Sequence, residues 1–125
     1  GPDPLTFDCA LISGLADKRL REMFAPLEHR DVPLWSCELD SHRAADAAQL
    51  RDSIPDSRLK AICTECATSL RQACLEVAKT TDSDRRPRLL VYGSIYLIGE
   101  VFEAIGLGPD DLATETDVHR VEPTP

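Results

Sequence analysis

No apolar run in the sequence approaches the roughly 18 residues that a membrane-spanning helix requires. The opening residues, Gly1-Pro2-Asp3-Pro4, show neither the charged n-region nor the apolar h-region of a secretory signal. Basic residues are also scarce. Fourteen Lys and Arg stand against 22 Asp and Glu, a formal charge of −8, so counterion release from nucleic acid has little basic surface to act on. DNA, RNA and anionic membranes are therefore poor partners. The five cysteines (Cys9, Cys37, Cys63, Cys66 and Cys74) are odd in number and scattered through apolar stretches, the pattern of reduced thiols rather than of a disulfide scaffold. A cytoplasmic protein is the expectation. Walker A, GxGxxG and HExxH patterns are all missing. His29, His42 and His119 have no ligand spacing to the single CxxC, so no metal site is expected.

The composition that remains is globular: 125 residues, 42% hydrophobic and 29% charged, enough for one core of ordinary size. Phe7 to Ser13 (FDCALIS) is a short apolar run ended by Gly14 and reads as a buried strand. Leu20, Met23, Phe24 and Leu27 then recur at helical spacing, with Pro26 expected to end or kink that helix near Ala25. Val32 to Leu39 has strand length. An alanine-rich helix is expected over Arg43 to Leu50, capped by Asp40 or Ser41 and closed by Pro55. Leu59 to Cys63 is a third strand, followed by a helix capped by Thr64 whose apolar face would hold Ala67, Leu70, Cys74, Val77 and Ala78. After a charged loop at 82–86 and Pro87, Arg88 to Tyr92 (RLLVY) reads as the clearest buried strand. Gly93-Ser94 turns it into a helix striped by Leu97, Ile98, Val101, Phe102 and Ile105 and ended by Gly106 and Gly108. Residues 109–125 are polar and read as a tail.

Strands alternating with helices, the strands continuously apolar, indicate an α/β fold. The expectation is a Rossmann-like, mostly parallel sheet of about four strands with helices on both faces. Ligands of such sheets sit beyond the carboxyl ends of the strands, which directs attention to the loops after Ser13, Cys63 and Tyr92. In the first, Gly14-Leu15-Ala16-Asp17-Lys18 admits two readings: Asp17 caps the next helix with Lys18 in water, or Lys18 stands over the strand ends and pairs with an anion. At Gly93-Ser94 the choice is between a tight turn with a serine N-cap and a cradle of N–H groups and a hydroxyl for a carboxylate or phosphate. Cys63-Thr64-Glu65-Cys66 lies where a helix N-terminus would favour a thiolate, so a redox-active pair stands beside the plainer reading of two core or junction cysteines.

Two segments carry a resemblance. ISGLADKRLREMFAPL (residues 12–27) and RLLVYGSIYLIGEVFEAIGL (residues 88–107) are similar to segments of the C-terminal domain of folylpolyglutamate synthase and dihydrofolate synthase. In that family the first has the form G-M-L-A-D-K-D and the second V-x-G-S-L-Y-L-x-G-E-V. Gly93-Ser94-Ile95-Tyr96-Leu97-Ile98-Gly99-Glu100-Val101 differs from the second form only by apolar substitutions, whereas Arg19 replaces the second Asp of the first.

The resemblance implies a Mur-ligase-type domain over residues 6–108, preceded by an extension or tag remnant at 1–5 and followed by the tail at 109–125. The family joins L-glutamate to a folate or to dihydropteroate, activating a carboxylate as an acyl phosphate with ATP and Mg. It implies that Lys18 pairs with a glutamate carboxylate, that Ser94 adds a hydroxyl or amide at the same rim, and that Gly14, Asp17 and Gly93 support the two loops. The family's G-T-N-G-K-G-S and D-G-A-H-N-P segments have no counterpart in these residues. The implied chain is the glutamate-side part of a ligase, holding no catalytic residue of its own, inactive alone, with ATP and Mg bound mainly by another domain. Strand edges left by a missing first strand would invite a homodimer. A non-catalytic α/β module that binds a small anion or a partner protein, and a thiol oxidoreductase using Cys63 and Cys66, are the alternatives.

Overall fold

The computed structural model describes residues 7–54, 58–80 and 88–106. Pro55, Pro87, the 82–86 loop, Gly108 and the two terminal segments lie outside the described residues. Among the described residues nine elements follow one another: β1 (Cys9–Ser13), α1 (Leu20–Phe24), a 3-10 turn (Ala25–His29), β2 (Leu34–Cys37), α2 (Ala47–Ser53), β3 (Leu59–Cys63), α3 (Cys66–Thr80), β4 (Leu89–Gly93) and α4 (Ile95–Ala104). The four strands form one sheet in the order β3-β2-β1-β4, and every pairing is parallel. This is the α/β, Rossmann-like architecture expected from the alternation.

The strand order follows from burial. All five residues of β1 are buried, so it needs neighbours on both edges and helices on both faces. Its edges are taken by β2, with Ala10 opposite Leu34, and by β4, in unbroken register from Cys9–Leu89 to Ser13–Gly93. The sheet is therefore continuous at β1, and among the described residues its outermost strands are β3 and β4. Alternate residues of β1 point to opposite faces. Cys9 and Leu11 join Trp35, Cys37, Leu70, Val77, Leu97 and Val101 beneath α3 and α4. Ala10 and Ile12 join Leu20, Phe24, Leu34 and Leu50 beneath α1 and α2.

Pro26 ends α1 as expected. The α-helix stops at Phe24 and the chain continues as a 3-10 turn with the proline at its start, where a missing N–H costs nothing. The helical expectations for α2 need correction, in its start and in its cap. α2 starts at Ala47 rather than Arg43. Asp46, not Asp40 or Ser41, is its N-cap: the Asp46 carboxylate accepts from Gln49 N–H (2.8 Å) while the Gln49 side chain accepts from Asp46 N–H (2.9 Å).

The buried face of α3 is Cys66, Ser69, Leu70, Ala73 and Val77, leaving Ala67, Cys74 and Ala78 in solvent. Small side chains lose little by facing water, and Ser69 turns inward because its hydroxyl donates to the Ser36 carbonyl of β2. On α4 only Leu97 and Val101 are buried, with Ile98 and Ile105 exposed. Gly106, at φ +81°, closes that helix.

Phe24 is fully buried in the α1/α2 core. Phe24→Ala should lower unfolding stability by about 3–5 kcal/mol in a urea titration, with the slope unchanged if the denatured state is unaltered.

Candidate functional site

The reversal in strand order lies between β1 and β4, whose carboxyl ends carry the two loops singled out by sequence. Such a switch point leaves a crevice, because the connections from neighbouring strands leave in opposite directions. Here the two loops are joined. Gly93 sits beside Ser13 at φ +131°, where a Cβ would overlap the Ser13 carbonyl oxygen, and Ser94 N–H donates to that same oxygen (3.3 Å). Only glycine accepts both the backbone angle and the close approach. The Ser94 hydroxyl then accepts from Tyr96 N–H (3.0 Å), capping α4.

The loop after β1 is fastened to the loop after β2. Leu15 and Ala44 form an antiparallel bridge, Ala16 N–H donates to Arg43 O (2.8 Å), and Ala45 N–H donates to Gly14 O (3.1 Å). Gly14 is buried, and a Cβ there would lie 2.6 Å from the Leu20 side chain. Asp17 does not cap α1, whose N-cap Arg19 makes no side-chain cap bond. Its carboxylate instead accepts from the Arg43 guanidinium at 2.7 Å. That bond, and then the charges of Arg43 and Lys18, hold the Asp17 carboxyl below the usual range; Asp17 in turn raises Arg43.

Lys18 is exposed, and its backbone N–H closes a turn onto Leu15 O (3.2 Å). The Tyr96 phenol lies near enough to Arg43 to act on its charge. Lys18, Asp17, Arg43 and Tyr96 thus form one electrostatic group at the carboxyl rim of the sheet, beside Gly93 and Ser94 at the end of β4. Arg43 and Tyr96 escape sequence reasoning. The Asp46-x-x-Gln49 capping box was the usable signal, since a helix starting there leaves Arg43 in the loop.

The CxxC is arranged differently from its spacing. The Cys66 thiol shares its hydrogen bond with Cys37 of β2, and Cys63 is half-buried. Burial pushes the Cys9 thiol up to about 12, so it is inert at neutral pH.

No protein-family model and no curated protein matches the chain. Among solved structures, the bifunctional folylpolyglutamate synthase/dihydrofolate synthase of Yersinia pestis, complexed with AMPPNP and Mn ion, matches with a TM-score of 0.62. This chain has the fold of one part of that synthase. The match covers 83% of this chain at 23% identity and 23% of the synthase, so this chain spans about a quarter of its length. Among the described residues no group of three or more His, Cys, Asp or Glu side chains could hold a metal ion, and no helix is long and apolar enough to cross a membrane.

Gly93→Ala should unfold or strongly destabilise the chain, through both the unfavourable φ and the overlap with Ser13, as read by thermal melting. For Asp17 the folded carboxyl titrates below its unfolded value of 3.8. The pair's contribution is therefore present above that value and fades as pH falls through the folded one. An NMR titration of Arg43→Ala should return Asp17 toward its ordinary range, and added salt should shrink the difference between the two proteins.

Proposed function

We propose that this chain is the glutamate-side domain of an ATP-dependent ligase of the folylpolyglutamate or dihydrofolate synthase type, and that its crevice binds an amino-acid carboxylate. The observation that carries this reading is the joining of the β1 and β4 loops at the switch point. That joint brings the G-L-A-D-K and G-S-I-Y-L-I-G-E-V segments to one rim in a fold shared with such a synthase.

Lys18 is the free cation of the rim: among the described residues it makes no ion pair. A glutamate carboxylate placed there gains a charge-assisted bond from its ammonium, worth about 1.5–3 kcal/mol for a hydrogen bond to a charged group. Arg43 is a second cation, steadied by Asp17 and able to share its remaining N–H donors with the same ligand. The capped start of α4 adds favourable backbone partial charge. What these residues do is bind and orient the incoming amino acid. Carboxylate activation by ATP and Mg belongs, in this reading, to the remainder of the ligase.

A titration of the chain with L-glutamate, followed by amide NMR, tests the proposal. Saturable shifts are expected at residues 14–18 and 93–96, and Lys18→Ala should weaken binding about tenfold, the factor that 1.4 kcal/mol represents. Shifts confined to other regions, or a Lys18→Ala variant that binds as well as the parent, would overturn it. If glutamate binds but the gene product joined to its ATPase part adds no glutamate to folate, the non-catalytic anion-binding module is the correct description.

A further inference from the structure

Three of the five cysteines meet at the carboxyl end of the β2–β3 pair. Cys37 ends β2, and its Cα partner in register is Cys63, the last residue of β3. Three residues later Cys66 opens α3, which folds back over the sheet on the face that Cys37 looks into. The Cys37 and Cys66 side chains share one core cluster, at 0% and 5% exposure, and their thiols hydrogen-bond to each other. Two thiols already in contact need little backbone movement to be joined, which is the main geometric requirement for a disulfide. We propose that Cys37 and Cys66 are a dithiol–disulfide couple, oxidised by hydrogen peroxide to an internal bridge that ties the end of β2 to the start of α3.

The two sulfurs are not equivalent. Cys66 lines a cavity of about 570 Å³, together with Glu38, Asp40, Thr64, Glu100 and Glu103, so a small oxidant reaches it from solvent. It also sits on the first residue of a fifteen-residue helix, where backbone partial charge favours a thiolate. The bond from the Cys37 thiol lowers Cys66 further, while burial and the Glu100 carboxylate oppose it. Cys37 has no solvent exposure and is raised, first by its bond to Cys66 and then by burial. Cys66 is accordingly the attacking sulfur and Cys37 the resolving one.

The steps balance. The Cys66 thiolate attacks one peroxide oxygen, an S–O bond forms, the O–O bond breaks, and the departing hydroxide takes a proton to become water. The Cys37 sulfur then attacks the sulfenic sulfur of Cys66, the S–S bond forms, and the S–O bond breaks. The hydroxyl leaves as a second water with the proton of Cys37. Two thiols lose two electrons and two protons, and one peroxide becomes two waters. This inference is independent of the ligase reading, since neither sulfur belongs to the glutamate rim.

The test uses the native reduced chain, treated with a modest excess of hydrogen peroxide, quenched by alkylation and digested with trypsin. Trypsin places Cys37 on residues 31–43, and Cys63 with Cys66 on residues 61–71. The expected result is a loss of two hydrogens in the intact mass, a cross-link between those two peptides, and reversal by dithiothreitol. Cys63→Ser should retain the cross-link, which assigns the bridge to Cys66 without disturbing the buried pair. A bridge between Cys63 and Cys66, oxidation found only on exposed Cys74, or cross-linking that appears only after urea unfolding would each overturn the proposal.

Discussion

The contact between Gly93 and the Ser13 carbonyl is the joint on which the rest of the molecule depends. β4 is reached last among the strands, after the chain has moved outward through β2 and β3, and must return to the far edge of β1. The return is sealed at its carboxyl end by the Ser13–Gly93 pair and by Ser94 N–H on the Ser13 oxygen. A side chain at position 93 would hold the carboxyl ends of the two strands apart. The same glycine therefore completes the sheet, sets the entry angle of α4, and places the serine that caps it.

Net charge and local charge tell different stories about ligands. A chain carrying −8 repels anions at long range, yet the rim after β1 gathers Lys18 and Arg43 around one carboxylate, Asp17. At ordinary ionic strength the distant acidic surface is screened beyond a Debye length of about 8 Å. The charges that decide binding are those at the rim. Asp17 compensates one cation while leaving the other to a ligand, so the loop is stable empty and still cationic enough to be useful. The cavity around Cys66, between the loops after β2 and β3 and the helix α4, is acidic, lined by Glu38, Asp40, Glu65, Glu100 and Glu103. The sheet's carboxyl end thus presents two chemically distinct surfaces.

How much of this was legible depended on side-chain size. The strand ending at Gly93 read clearly because Leu89, Leu90, Val91 and Tyr92 form a continuous run of branched and aromatic residues, and Leu59–Cys63 read as a short apolar run of strand length. The alanine-rich stretch did not. Ala44, Ala45, Ala47 and Ala48 define no stripe, so the start of α2 was decided by the Asp46–Gln49 capping pair rather than by apolar spacing. α3 carries small residues around its whole circumference. Its buried face turned on one hydrogen bond, Ser69 to the Ser36 carbonyl, which joins residues 33 positions apart and has no signature in the local sequence.

By itself the sequence determined the alternation of strands and helices, a mostly parallel sheet, and the glycine turn that ends β4. These rest on local properties: runs of apolar side chains, helical spacing, and residues that accept a positive φ. Which strands are neighbours, the pairing of Asp17 with Arg43, and the partnering of Cys66 with Cys37 rather than Cys63 were decided only by the tertiary structure. Each joins groups separated by more than twenty residues. Such contacts exist only after β1 has recruited strands on both edges, and no local pattern can record an encounter that the packing of the whole sheet creates.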